Sequence, residues 1–269
     1  MNKDSVWSLV VLTAFALMAG LTSAHADVMP IPERIEVPVG NVFIPPKGFD
    51  DNDNIEFVVD GFLPNACYAI ANTTYEIIPD KKLIVVHQFA SHRKDGICAD
   101  ENSLPIHLRE MVPFDVNVSL GSLGTGDYSV QFSRGANNND IRTFNVEKAK
   151  VAAVDNMPYA AVSSVSIPDM VRGDLDIKAT LIGVTTSSCS ELSPVVSVKL
   201  ENDVFVVLPT LDFKPNVRCA FVMRPFERTI SLGKTGEGRY LLHIRSMNGK
   251  SVNRAFSVVK PDEPDGHPR

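Results

Sequence analysis

The chain has 269 residues, 44% hydrophobic, 22% charged and 7% aromatic, and its 26 Lys+Arg against 32 Asp+Glu give a formal net charge of −6. These values describe a folded, mildly acidic protein. They exclude intrinsic disorder, which needs fewer apolar residues or more net charge, and a general nucleic-acid binder, whose phosphate contacts need a basic surface.

The first element, residues 1–26, reads as a signal peptide. Lys3, partly offset by Asp4, precedes a largely apolar run from Val6 to Leu21, and Ala24-His25-Ala26 supplies the small-x-small pattern that signal peptidase reads. The run is shorter than the roughly 20 residues a bilayer-spanning helix needs. The mature chain from Asp27 is therefore expected in the periplasm or secreted, with no transmembrane segment. All four cysteines, Cys67, Cys98, Cys189 and Cys219, lie in that mature part, and an even count in an exported chain reads as disulfides. Three pairings are possible. No C-x2-C spacing suggests zinc.

Residues 27–49 are Pro-rich and read as an edge strand. The run Asp50, Asp51, Asn52, Asp53 and Asn54 fits the D-x-N-D-N string of cadherin linkers, which makes calcium a candidate ligand through hard oxygen donors. The companion acidic motifs are missing, and an acidic turn before a strand explains the run equally. Farther on, Phe114, Val116, Val118 and Leu120 alternate with polar residues, as do Tyr128, Val130 and Phe132, and later Leu175, Ile177, Ala179 and Leu181. Alternation bounded by Gly, Asn, Asp and Pro marks half-buried strands. Val195–Leu200 and Val204–Leu208 flank Glu201-Asn202-Asp203 as a hairpin. No long stretch of the mature chain carries a helical period. Arg172-Gly173-Asp174, the integrin-binding tripeptide, falls at a turn before a strand. Residues 261–269 have no apolar content and read as a disordered tail.

The two halves repeat. Gly61 and Gly183 each stand six residues before a cysteine, Leu83–Val86 matches Val204–Val207, and Cys98 matches Cys219. From Pro113-Phe114 against Pro225-Phe226 the offset is a constant 112: Leu120-Gly121 with Leu232-Gly233, Gly124 with Gly236, Gly126 with Gly238, Tyr128 with Tyr240, Phe144 with Phe256, Val146 with Val258. The repeat makes Cys67–Cys98 and Cys189–Cys219 the simplest pairing. It divides the chain into domain 1 (27–149) and domain 2 (150–260), joined by a link so short that the domains are expected to touch. The segment Cys98–Pro113 is nine residues longer than Cys219–Pro225, an insertion within Ala99–Val112.

Each repeat has the length and strand number of a β-sandwich. The strings LGSLGTGDYSV and LGKTGEGRYLL resemble the tyrosine corner of immunoglobulin-like and fibronectin type III-like domains. The resemblance implies an all-β fold of two tandem Ig-like sandwiches in which Tyr128 and Tyr240 are structural. It departs from antibody domains at Val130 and Leu242, where those carry their second cysteine.

Enzyme motifs such as H-E-x-x-H, G-x-S-x-G and the P-loop are absent from the sequence. The best reading is an exported, non-enzymatic binding or adhesion-type module without a cofactor. Its partner would be a protein, peptide or glycan of the envelope or cell surface, met by loops, by an edge strand or by the groove between domains. The insertion makes Arg93, Lys94, His107, Arg109 and Glu110 the first recognition candidates, and its removal is expected to spare the fold. His87, His92 and His107 are an alternative metal set. The competitors are a structural spacer of the envelope and a hydrolase with an interdomain active site.

Overall fold

The computed structural model describes residues 33–260 except 95, 135–140 and 215–217; the segments expected as a signal peptide (1–26) and a disordered tail (261–269) lie outside the described residues. Repeat one contributes β1 (Glu33–Glu36), β2 (Val39–Phe43), β3 (Phe49–Asp50), β4 (Ile55–Leu63), β5 (Tyr68–Ile78), β6 (Leu83–His92), β7 (Val112–Gly121), β8 (Gly126–Phe132) and β9 (Arg142–Glu147). Repeat two contributes β10 (Ala161–Ser166), β11 (Met170–Arg172), β12 (Ile177–Ser187), β13 (Ser190–Leu192), β14 (Ser197–Glu201), β15 (Val204–Leu208), β16 (Leu211–Phe213), β17 (Phe221–Gly233), β18 (Gly238–Ser246) and β19 (Lys250–Val259). The chain folds into two tandem β-sandwich domains, each holding one disulfide, Cys67–Cys98 and Cys189–Cys219.

In domain 1 the sheet β2-β4-β7 faces the sheet β1-β6-β8-β9-β3, with β5 also paired to β6. In domain 2, β10-β12-β17 faces β11-β19-β18-β15-β14, and β13 and β16 form a separate ribbon. The alternating residues supply the cores. Phe57, Val59, Val118, Leu120, Val130, Phe132 and Phe144 are buried together in domain 1, and Ala179, Leu181, Ile230, Leu232, Leu242, Ile244 and Phe256 in domain 2. Leu175 departs from its expected place. It lies before β12 and is exposed.

The duplication extends to strand pairing. β6 runs parallel to β8 with Leu83 opposite Ser129, and β15 runs parallel to β18 with Val204 opposite Leu241. β3 and β11 are likewise parallel to β9 and β19. An immunoglobulin domain builds both sheets mainly from antiparallel neighbours, so the parallel β6–β8 and β15–β18 pairs give these sandwiches a connectivity of their own. The repeated Gly–Phe pair has a steric cause. Gly61 stands opposite Phe114 and Gly183 opposite Phe226. A Cβ on either glycine would come within 2.8 or 2.7 Å of the facing ring. The repeated tyrosines close the turn before β8 and β18. Tyr128 donates to Gly124 O at 2.9 Å and Tyr240 to Gly236 O at 3.1 Å.

The domains are stacked sheet on sheet. The outward face of β2-β4-β7 lies on the outward face of β15-β18-β19. Phe43, Val58, Val204 and Leu241 bury an apolar centre there. Polar pairs surround it: Arg239 Nε donates to Asp60 Oδ2 at 3.0 Å, Arg245 to Asp53 Oδ1 at 2.8 Å, Ser251 to Glu56, and Asn253 to Asn117 Oδ1 at 3.2 Å. Asp53 meets the end of β18 and Asp60 its start, so β4 and β18 run in opposite directions. The disulfide end of domain 1 therefore lies beside the tyrosine corner of domain 2. Glu33, opposite His92, and Val259, next to the Val258–Gly238 pair, are both at that end.

Candidate functional site

The insertion holds two short 3-10 turns, Glu101–Ser103 and Ile106–Leu108, and follows a third, Gly96–Cys98, at the disulfide. Leu104 is buried against the Cys67–Cys98 disulfide with Leu108 packed alongside, and Ala66 N–H donates to Leu108 O at 3.1 Å. Arg109, a recognition candidate, faces its own loop. Its Nε donates to Leu104 O at 2.8 Å and a terminal nitrogen to Asn102 O at 2.7 Å. Lys94 pairs with Glu33 across the edge of β1 and holds that carboxyl below the usual range. Arg93, His107 and Glu110 are exposed, and the Arg93 backbone N–H donates to Cys67 O at 2.9 Å. Removing Ala99–Val112 would strip the disulfide of its buried Leu104 and cut into β7. This corrects the expectation that the fold would be spared.

Beside these polar residues the loop also exposes large apolar ones. Ile97, Ile106 and Met111 are 53%, 85% and 66% exposed. Met111 leads into Pro113, which stands opposite Phe62, itself 54% exposed. Phe62 and Pro113 line a cleft of about 710 Å³ between the domains, whose far wall carries Met170, Arg254 and Asp169. Arg254 and Asp169 pair at 2.6 Å, and the Arg239–Asp60 pair forms part of the floor. The inserted loop and the larger interdomain groove thus form one end of the molecule. Isolated exposed apolar residues are ordinary on a protein surface.

The Asp50–Asn54 run ties the two domains to their link. Asp51 accepts from Lys148 at 2.7 Å and from Ala149 N–H at 3.0 Å, which lowers its pKa. Asn52 donates to Val151 O and Ala153 O at 3.3 and 3.0 Å. Asp53 accepts from Asp50 N–H through one oxygen and from Arg245 through the other. Asn54 donates to Glu56 and accepts from Ser119. Asn52 Oδ1 is buried without a partner among the described residues. Burial, with the charges of Asp53 and Glu147, raises the pKa of Asp50.

The three candidate histidines are not brought together. His87 pairs with Glu36 at 2.8 Å, His92 stacks on Tyr68, and His107 sits on the loop. No group of three or more His, Cys, Asp or Glu side chains placed to hold a metal occurs among the described residues. Arg172 and Asp174 pair with one another at 2.9 and 3.1 Å. A Cβ at Gly173 would come within 2.5 Å of Thr235 O, so tight packing accounts for that glycine.

Sequence reasoning missed the outward face of β18. Arg239, His243 and Arg245 alternate with core residues and read as solvent-facing, yet His243 and Arg245 are buried beneath domain 1. Periodicity reports which face of a strand is polar and carries no signal that a second domain will cover it. No helix among the described residues is long and apolar enough to cross a membrane. The chain matches no protein-family model, no curated protein and no solved structure.

Proposed function

We propose that the mature protein is an exported, non-enzymatic binding module. It recognises a protein or peptide of the envelope or cell surface at the end formed by the inserted loop and the larger groove. The observation that carries this reading is the set of large exposed apolar side chains, Ile97, Ile106 and Met111, on a loop clamped by a disulfide, by buried Leu104 and by Arg109, with exposed Phe62 of β4 opposite Pro113 where the loop ends. A preordered backbone loses little entropy on binding, so apolar contact converts efficiently into affinity. Aliphatic anchors suit an apolar protein surface better than a hydroxyl-rich glycan. The signal-like segment 1–26 supports export.

The test uses oxidised 27–269 as bait against envelope extracts, beside an Ile106→Asp/Met111→Asp variant and a control, Phe221→Asp, on the other disulfide end. A partner captured by wild type and control and lost in the loop variant supports the reading. Equal capture by all three refutes it. Recovery of a product starting at Asp27 from the periplasm or medium tests export.

A further inference from the structure

A second interdomain cavity, of about 320 Å³, lies at the opposite end of the interface from the larger groove. That volume is at the lower end for small-molecule sites. Its apolar lining includes Val206, Leu208, Met157 and Tyr159. His243 also lines it, only 3% exposed.

The protonation of His243 follows from its neighbours. Glu56 carboxylate accepts hydrogen bonds only, and Asn253 Nδ2 lies 3.5 Å from its Oε2 and 3.2 Å from Asn117 Oδ1. The amide nitrogen of Asn253 therefore points to those acceptors, and its oxygen points to His243 Nδ1 at 2.8 Å. Nδ1 must carry the proton. Nε2 is left as a bare acceptor, with no protein partner among the described residues. Burial and the nearby Arg245 charge hold the ring neutral, with its pKa lowered to about 4.

The charges around the cavity are unequal. Arg245 is neutralised by Asp53, and Lys199 by Glu201. Lys47 lines the same cavity, is exposed and forms no ion pair among the described residues. Beside the paired Lys199 and Glu201, the cavity thus offers an unpartnered acceptor in His243 Nε2, an apolar wall and, in Lys47, a cation without an ion pair among the described residues.

We propose that this cavity binds a small hydroxylated organic acid, whose hydroxyl donates to His243 Nε2 and whose carboxylate is held by Lys47. The walls of Val206, Leu208 and Met157 favour a compact apolar body between these two groups. The site is distinct from the loop surface and needs no covalent step.

The test uses the oxidised full mature chain, labelled with 15N in its histidines, and 4-hydroxybenzoate as probe. Benzoate, which lacks the donor, is the comparison. The expected result is saturable movement of the His243 Nε2 resonance by 4-hydroxybenzoate and about tenfold weaker binding of benzoate, the scale of one hydrogen bond. Lys47→Glu, an exposed substitution that leaves the core untouched, is expected to weaken 4-hydroxybenzoate severalfold. His243→Phe should abolish discrimination between the two probes. No movement of His243 up to about 10 mM probe, a concentration that reveals even millimolar affinity, overturns the proposal. So does equal affinity for the two probes, or for wild type and Lys47→Glu. Loss of partner capture in the Ile106→Asp/Met111→Asp variant bears on the other site alone, so the two proposals fail separately.

Discussion

Replacing Arg245 with methionine tests whether the domains are locked together by the Asp53–Arg245 pair. The two side chains are 2% and 8% exposed and 2.8 Å apart. Arg245→Met keeps most of the volume beside Tyr159 but leaves Asp53 with a single donor, the Asp50 N–H at 2.9 Å. Breaking one side of a buried pair costs about 3–5 kcal/mol, because the remaining charge stays desolvated. That is a large share of the roughly 5–15 kcal/mol that holds a typical domain. At this chain length each kcal/mol moves the melting temperature by about 2–4 °C, so Tm should fall by about 10 °C. Asp53→Asn alone should cost a similar amount, about 3–5 kcal/mol, because it strands the buried guanidinium and its single amide oxygen cannot accept from both Arg245 and the Asp50 N–H. Adding Asp53→Asn to Arg245→Met should recover most of the loss, since it removes the stranded charge and keeps the bond to Asp50. Urea unfolding followed by circular dichroism at pH 7.5, with disulfides intact, measures all three. If Arg245→Met stays within about 1 kcal/mol of wild type, or the double variant is no more stable than the single one, the charge is not buried in the way described.

His243 should make stability depend on pH. Its unfolded pKa is near 6.5 and its folded pKa about 4. The stabilisation of the neutral ring is complete above about pH 6.5 and is lost as pH falls toward 4. About 2 kcal/mol should disappear between pH 6.5 and 5. Urea titrations of wild type against His243→Gln should show this difference shrinking as pH falls, and parallel curves would refute it. Gly183→Ala should destabilise by about 1–3 kcal/mol, because its Cβ would meet both Phe226 and Ala161 O. Gly183→Ala combined with Phe226→Leu should recover part of that cost in the same assay, and no recovery would show that the backbone contact dominates. Tyr240→Phe should cost about 1 kcal/mol, by loss of the bond to Gly236 O, and an unchanged denaturation midpoint would remove that bond from the account of the corner.

The strands and their inward faces were legible because each is a local alternation. Phe114, Val118 and Leu120 in β7 and Ile177, Ala179 and Leu181 in β12 are all buried as their period requires. The Glu201–Asp203 turn was legible because Asn202 and Asp203 accept positive φ, here 45° and 62°. The disulfide pairing followed from comparing repeats. The parallel pairing of β6 with β8 was not legible, since a repeat shows which segments correspond and not which edges meet. The same holds for the site. The insertion was visible as a length difference, but a length difference carries no sign that Arg109 bonds back to its own loop or that Ile106 and Met111 are exposed. The inter-domain surface was hidden for the reason that makes it work. Asp53, Asp60 and Arg245 are polar in sequence, and their partners across the interface, Arg239 among them, allow them to be buried.

The antiparallel stacking has a mechanical meaning. In a string of sandwiches joined end to end, the chain enters one pole and leaves the other, and tension runs along the string. Here segments continuing before Glu33 and after Val259 would leave from the same pole. Glu33 and Val259 are thus separated by little of the unit's length. A load across those two segments would act at one edge of the interface, where Arg239 grips Asp60. It would open the stack like a hinge, with the Asp53–Arg245 lock at the far edge yielding last.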